Sequence, residues 1–216
     1  MNGPETDAGQ PDAGAAPVPG APPIPRDYRM AVPAGWHRVV LDPQFWDRQI
    51  GKVVDTQTAG RDDLPLVKAR LTELIREQAK AAYDNGGVAM YLSTMRIGDV
   101  PLSASAIITY VPALGRTLPA LDQLAINYAA AGHEATMVEL PAAGLALRRR
   151  YREELVCDPK DGKGVRTLVT TIVEYRLTIP NTPNQVVVTF STPVEPIADV
   201  MAELFDTIAG TFGWTY

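Results

Sequence analysis

The 216-residue sequence predicts an α+β domain, one curved antiparallel sheet with helices packed against it. Two observations predict this class. Most strand-like stretches follow one another across short turns rich in Gly, Pro or Asn, which suits antiparallel neighbours. Only three helical stretches stand out, too few and too unevenly placed for a regular βαβ series. Composition agrees. With 46% hydrophobic and 21% charged residues and a net charge of −5, the chain has the profile of a soluble globular protein. It is not that of a collagen, a wholly disordered chain or a strongly basic nucleic-acid binder. No run approaches the roughly 20 apolar residues of a membrane-spanning helix.

Residues 1–25 hold seven of the 19 prolines, with Glu5, Asp7 and Asp12 as their only charged side chains. Such a stretch has too little apolar surface to offset the entropy of ordering it, so a disordered tail is expected there. A single domain over 26–216, with a net charge of −2, follows. No basic residue precedes Arg26 and no apolar block opens the chain, so a secretory signal is not expected. Together with one cysteine, Cys157, this makes a cytoplasmic location the expectation.

Along the body, 28–32 and 36–41 read as a short strand pair bent at Pro33-Ala34-Gly35. A first helix carries Val67, Leu71, Leu74, Ile75, Gln78 and Ala82 on one stripe. Asp62 or Asp63 would cap it and Asp84-Asn85-Gly86-Gly87 would end it. Strands 88–97 and 102–111 flank the turn Gly98-Asp99-Val100-Pro101. A second helix spans about 118–131, capped by Thr117 and stopped by Gly132, with Leu118, Leu121, Leu124, Ala125 and Tyr128 on its apolar face. Strands at 136–140 and 144–156 follow. The strand 165–179 alternates most clearly: Val169, Thr171, Val173, Tyr175 and Leu177 share one face, and Leu168, Thr170, Ile172, Glu174 and Arg176 the other. Its partner, 185–191, lies across Pro180–Asn184. The last helix carries Ile197, Val200, Met201, Leu204, Phe205, Ile208 and Phe212, with either Thr192–Glu195 as a capping box or Glu195-Pro196 as cap and first residue.

Reactive motifs are sparse. There is no nucleophile elbow, and the histidines are His37 and His133 alone. Cys157 precedes Asp158 in a turn-like segment, where a neighbouring carboxylate disfavours the thiolate. Two His and one Cys show no close ligand pair, and Asp158–Gly164 lacks the alternating acidic ligands of a calcium loop. Gly162-Lys163-Gly164 is too short for a phosphate-binding loop. No cofactor, metal or catalytic set is therefore expected. The remaining enzymatic alternative is a hydrolase with a non-standard site, for which Glu139, Glu154 and His133 would have to converge.

The basic cluster is the one feature with binding character. On a strand, Arg148, Arg150 and Arg152 share a face, while Arg149 joins Leu145, Leu147 and Tyr151. Glu153, Glu154 and Glu174 supply carboxylates for a cross-strand ion-pair ladder on a wet face. The same arginines also suit an anion or an acidic partner. Arg149 must reach solvent along its stem or find a buried carboxylate. Leu168 and Ile172 beside Arg148, Arg150 and Arg176 would make an amphipathic groove for a partner segment; alternatively the two apolar residues lie under a helix.

The segment Tyr28–Trp36, with its Pro33-Ala34-Gly35-Trp36, resembles the opening of Mog1/PsbP-like domains. Glu174-Tyr175-Arg176-Leu177, then Val186–Phe190, then a helix with Phe205–Ala209 and Thr211-Phe212 are similar to that family's closing strands and helix. The resemblance spans about 27–214 and implies a curved antiparallel sheet sandwiched by helices. It also implies a mostly non-enzymatic role, since members bind small GTPases, assemble with photosystem subunits or act as chaperone-like adaptors. A protein-binding adaptor is the function expected, with Arg148, Arg150, Arg152, Leu168, Ile172 and Arg176 as partner-binding residues, a protein partner, and no nucleic acid. A carrier of a small apolar ligand, held between sheet and helix, is the other alternative.

Overall fold

The computed structural model describes residues 22–59, 65–98, 100–157 and 166–216. In chain order these form β1 (Asp27–Arg29), β2 (Trp36–Val40), α1 (Trp46–Gln57), α2 (Pro65–Asp84), β3 (Gly87–Ser93), β4 (Arg96–Ile97), β5 (Val100–Pro101) and β6 (Ser105–Val111). There follow α3 (Leu121–Ala130), β7 (Glu134–Leu140), β8 (Gly144–Cys157), β9 (Arg166–Thr178), β10 (Gln185–Thr192), a 3-10 turn at Glu195–Ile197, α4 (Ala198–Ala209) and β11 (Gly213–Thr215). The chain is α+β. Seven strands make one open antiparallel sheet in the order β2-β3-β6-β10-β9-β8-β7, and four helices accompany it.

The order follows from two runs of neighbours. β2, β3 and β6 form one meander, β7 to β10 the other, and the two are zipped together where β6 pairs with β10. Alternation along the strands then builds two apolar layers. On one face, Ala106, Ile108, Val173, Tyr175, Leu177, Val188 and Phe190 meet Met201, Phe205 and Ile208 of α4. The other layer joins Val39, Met90 and Leu92 to Trp46, Ile50 and Val53 of α1 and Ile75 and Ala79 of α2. α3 adjoins β7 and β8.

Several expectations are corrected. β1 does not pair with β2; it pairs with β11, so that Tyr28 stands opposite Trp214 and the C-terminal strand, not the bend at Gly35, fixes it. α1 is a fourth helix. Its buried residues Trp46, Ile50, Val53 and Val54 have helical spacing, and Asp42-Pro43 ahead of it and Gly60 beyond it punctuate its ends. The stretch expected as strand 88–97 stops at Ser93, and β4 and β5 form a separate two-stranded hairpin. Thr117 is not the cap of α3, which begins after Ala120 without a side-chain cap. Neither proposed cap starts α4; Thr192 Oγ1 instead accepts from Val194 N–H ahead of the 3-10 turn. On α2, Ile75 and Ala79 are the buried positions, while Val67 and Leu74 remain exposed. Asp62 and Asp63 lie outside the described residues, as do most of the expected tail and the Asp158–Gly164 loop.

Gly86 and Gly87 are where a side chain could not be placed. Gly86 sits at φ +83, and a Cβ on Gly87 would come within 2.7 Å of the Ala82 carbonyl oxygen. That close approach is what swings the end of α2 directly into β3. Among the described residues, no helix is long and apolar enough to cross a membrane.

Candidate functional site

The expected partner-binding residues lie on β8 and β9, whose pairing runs unbroken from Ala146–Leu177 to Cys157–Arg166. That register sorts them. Arg150 stands opposite Val173 and Arg148 opposite Tyr175, on the face covered by α4. Ile172 stands opposite Tyr151, and Arg176 opposite Leu147, on the other face. The single groove expected from Leu168 and Ile172 with Arg148, Arg150 and Arg176 does not form. The sheet itself separates the two groups, because residues of odd and even number leave a strand on opposite sides.

Under α4 the arginines are engaged. Arg148 grips Asp206 with two hydrogen bonds, Nε to Oδ1 at 2.9 Å and Nη2 to Oδ2 at 3.1 Å, and reaches Glu134 with Nη1 at 2.8 Å. The Tyr175 hydroxyl donates to the same Asp206 carboxylate. Arg150 pairs with Asp199, one helix-face repeat earlier on α4. These partners replace the expected ladder with Glu153, Glu154 and Glu174. Glu153 and Glu154 stand opposite Thr170 and Val169, and Glu174 is on the far face. Burial disfavours the Arg148 cation, but Asp206 and Glu134 outweigh it and its pKa is raised. The Arg150 hydrogen bond holds the Asp199 carboxyl below its ordinary range.

Burial first, and then Asp206, push the Tyr175 phenol above its ordinary value near 10; burial does the same to Tyr91. A folded-state pKa above the unfolded one means that the contribution is whole at lower pH. It is lost as pH rises from the unfolded value towards the folded one. Stability should therefore fall above about pH 10, and Tyr175→Phe should flatten that decline while costing about 1 kcal/mol at neutral pH. Urea midpoints of both proteins between about pH 8 and 11 check this. Parallel curves would contradict it.

On the opposite face, Arg149 finds neither of its expected outlets. Its guanidinium lies between two rings, 4.1 Å from the centroid of Tyr128 on α3 and 3.9 Å from that of Tyr151. Its Nε donates to His133 Nδ1 at 2.9 Å. Beside it, Glu174 is buried, with Arg176 Nε 3.9 Å from its Oε1. Arg176 Nη1 donates to Gln185 at 3.3 Å, and Gln185 Nε2 in turn donates to the Pro119 carbonyl. This polar seam ties α3 and its preceding loop to the sheet. His133 is committed to Arg149, while Glu139 and Glu154 pair with Leu145 and Val169, about 30 Å apart along β8 at the strand rise. The three groups named for a hydrolase do not converge.

What remains free is the far end of β8 and β9. β7 pairs with β8 only as far as Arg150, and β10 pairs with β9 only from Thr171 onward. Residues 151–157 and 166–170 therefore form a two-stranded ribbon that outruns the sheet, each strand with one edge lacking a partner among the described residues. Leu168 is 42% exposed on this ribbon, and Arg152 is exposed without an ion-pair partner among the described residues. An open hollow of about 560 Å³ at its root is lined by Gly132, His133, Arg150, Tyr151, Arg152 and Asp199. The sequence carried a signal for the α4 partners: Asp199 and Asp206 are seven residues apart, two helical turns, and so share a side. No comparable signal marked the Arg149 sandwich, which depends on where α3 lands.

No family model matches the chain, and a search of curated proteins finds no match.

Proposed function

We propose that the chain is a non-enzymatic adaptor that holds an extended segment of a protein partner along the β8–β9 ribbon. One observation carries the reading: residues 151–157 of β8 present an edge of backbone donors and acceptors with no strand beside them among the described residues. A sheet edge of this kind is a template for an added strand. The side chains alternate across it, with Arg152 and Glu154 on one face and Tyr151 and Glu153 on the other, so an incoming strand meets charge as well as backbone. Arg152 and Leu168 stay in the proposed contact; Arg148, Ile172 and Arg176 act behind it, by fixing α4 and the sheet interior, and Arg150 is paired with the exposed Asp199. The Mog1/PsbP-like sandwich belongs to the same proposal, supported by helical layers on both faces of an antiparallel sheet.

The test is photo-cross-linking in the protein's own cells, with the reactive group at 152 or 168 and, as a control, at Ile126 on the exposed side of α3. A single partner should be captured from the ribbon positions only. Of Glu153→Pro and Glu154→Pro, the one that removes the outward N–H should abolish capture while the fold survives, since proline is tolerated on an edge. Capture that is equal from Ile126, or indifferent to both prolines, overturns the reading.

A further inference from the structure

At the other end of the molecule, β1 and β11 cross the sheet beyond α4 and leave a cavity of about 300 Å³ beneath them. This is at the small end of the range for ligand pockets, about 300–1,000 Å³. Its floor is sheet, Val88, Ile108 and Val186, with Ile179 just past the end of β9. Val88 and Tyr110 leave 39% and 38% of their surface exposed, side by side with this apolar floor. Val88 is there because pairing between β3 and β6 slips from Gly87–Thr109 to Ala89–Ile108, a bulge that leaves it unpaired.

The wall is aromatic and braced. Tyr28 and Trp214 are direct cross-strand partners on β1 and β11. Tyr28 stacks on Phe212 at 5.4 Å, and Phe212 meets Trp214 edge-on at 5.2 Å. Trp214 Nε1 donates to the Ala143 carbonyl at 3.1 Å. Rings held in this way lose little freedom when something packs on them. Two guanidiniums line the same cavity, those of Arg26 and Arg38, and neither has an ion-pair partner among the described residues. The one carboxylate in the lining, Asp27, accepts the backbone N–H of Tyr28 at 2.8 Å. The Arg38 guanidinium lies over the Tyr28 ring, 5.9 Å from its centroid, which fixes that cation beside the apolar floor.

An apolar floor, fixed rings and two guanidiniums against the single carboxylate of Asp27 specify one ligand chemistry. We propose that this cavity binds a small amphipathic monocarboxylate, with its apolar body on Val88, Ile108 and Val186 and its carboxylate turned towards Arg26 and Arg38. A neutral or cationic body of the same shape loses the charge-assisted hydrogen bonds that guanidinium offers. The proposal is independent of the ribbon, which lies on other strands, so either can fail alone.

The experiment titrates the full chain with 3-phenylpropionate, its neutral amide and phenethylamine, while following the indole N–H signal of Trp214 by NMR. The acid should shift that signal saturably and leave those of Trp36 and Trp46 in place. The amide and the amine should bind at least about tenfold more weakly. Arg38→Met should weaken the acid about tenfold and leave the amide unchanged; Arg26→Met serves if the first variant does not fold. Val88→Asp should abolish both. An amide that binds as tightly as the acid overturns the proposal. So does the absence of a saturable Trp214 shift up to about 10 mM acid.

Discussion

Replacing Phe205 with alanine is expected to lower the unfolding free energy by about 3–5 kcal/mol, the largest single effect from any side chain of α4. Phe205 is completely buried. It stacks on Phe190 of β10 at 5.1 Å and takes the edge of Trp36 of β2 at 6.4 Å, so one ring joins the last helix to strands from both meanders. Tyr175 braces Phe190 from the other side, edge-on at 6.3 Å. Loss of the ring leaves a void whose walls are held by strands on either side, and such a site collapses poorly. A domain of this size is stable by about 5–15 kcal/mol, so the variant should sit near the edge of folding at physiological temperature. Urea denaturation measures it, with an unchanged slope showing that the unfolded state is the same. Val200→Ala, on the 63% exposed side of the same helix, should stay within about 0.5 kcal/mol. A loss below about 1.5 kcal/mol for Phe205→Ala would show that α4 does not seat as described.

That contrast also shows what the sequence could and could not reveal. The apolar stripe of α4 was legible, because Met201, Phe205 and Ile208 recur at helical spacing and all three are buried. Val200 shared the stripe on paper yet faces solvent, since a stripe defines a side of a helix but not how wide a strip the sheet will cover. Strand alternation was equally legible: Arg148, Arg150 and Arg152 were separable from Arg149 by parity alone. Parity within one strand says nothing of which face of the next strand it matches. That is a question of register, and register put Leu168, Ile172 and Arg176 on the side away from the three arginines. Long-range partners were the hardest. β1 finds β11 across nearly the whole chain, a pairing that no local turn announces. The Arg26–Arg38 cavity depends on that pairing, so it was out of reach as well.

Asp206→Ala is expected to cost about 2–3 kcal/mol, more than a surface ion pair is worth and less than a fully buried one. The carboxylate is itself 39% exposed, which admits water to the gap, but the groups it serves are not so placed. Arg148 has a side chain only 13% exposed and would lose two of its three hydrogen bonds to carboxylates, keeping Glu134 alone. The Tyr175 hydroxyl would lose its partner in the same stroke. The cost thus comes mainly from stranded donors rather than from lost attraction, and this makes it separable. In a double-mutant cycle, Arg148→Met combined with Asp206→Ala should be clearly less destabilised than the sum of the two changes, because the second substitution no longer leaves a charge behind. Additive losses would mean that Asp206 merely decorates the helix. The Arg150–Asp199 pair provides the comparison within the same two elements: Asp199 is 85% exposed, and Asp199→Ala should leave the urea midpoint where it was. If both aspartates behave alike, α4 is held by its apolar side only, and the arginines of β8 are free to serve a partner as the sequence first suggested.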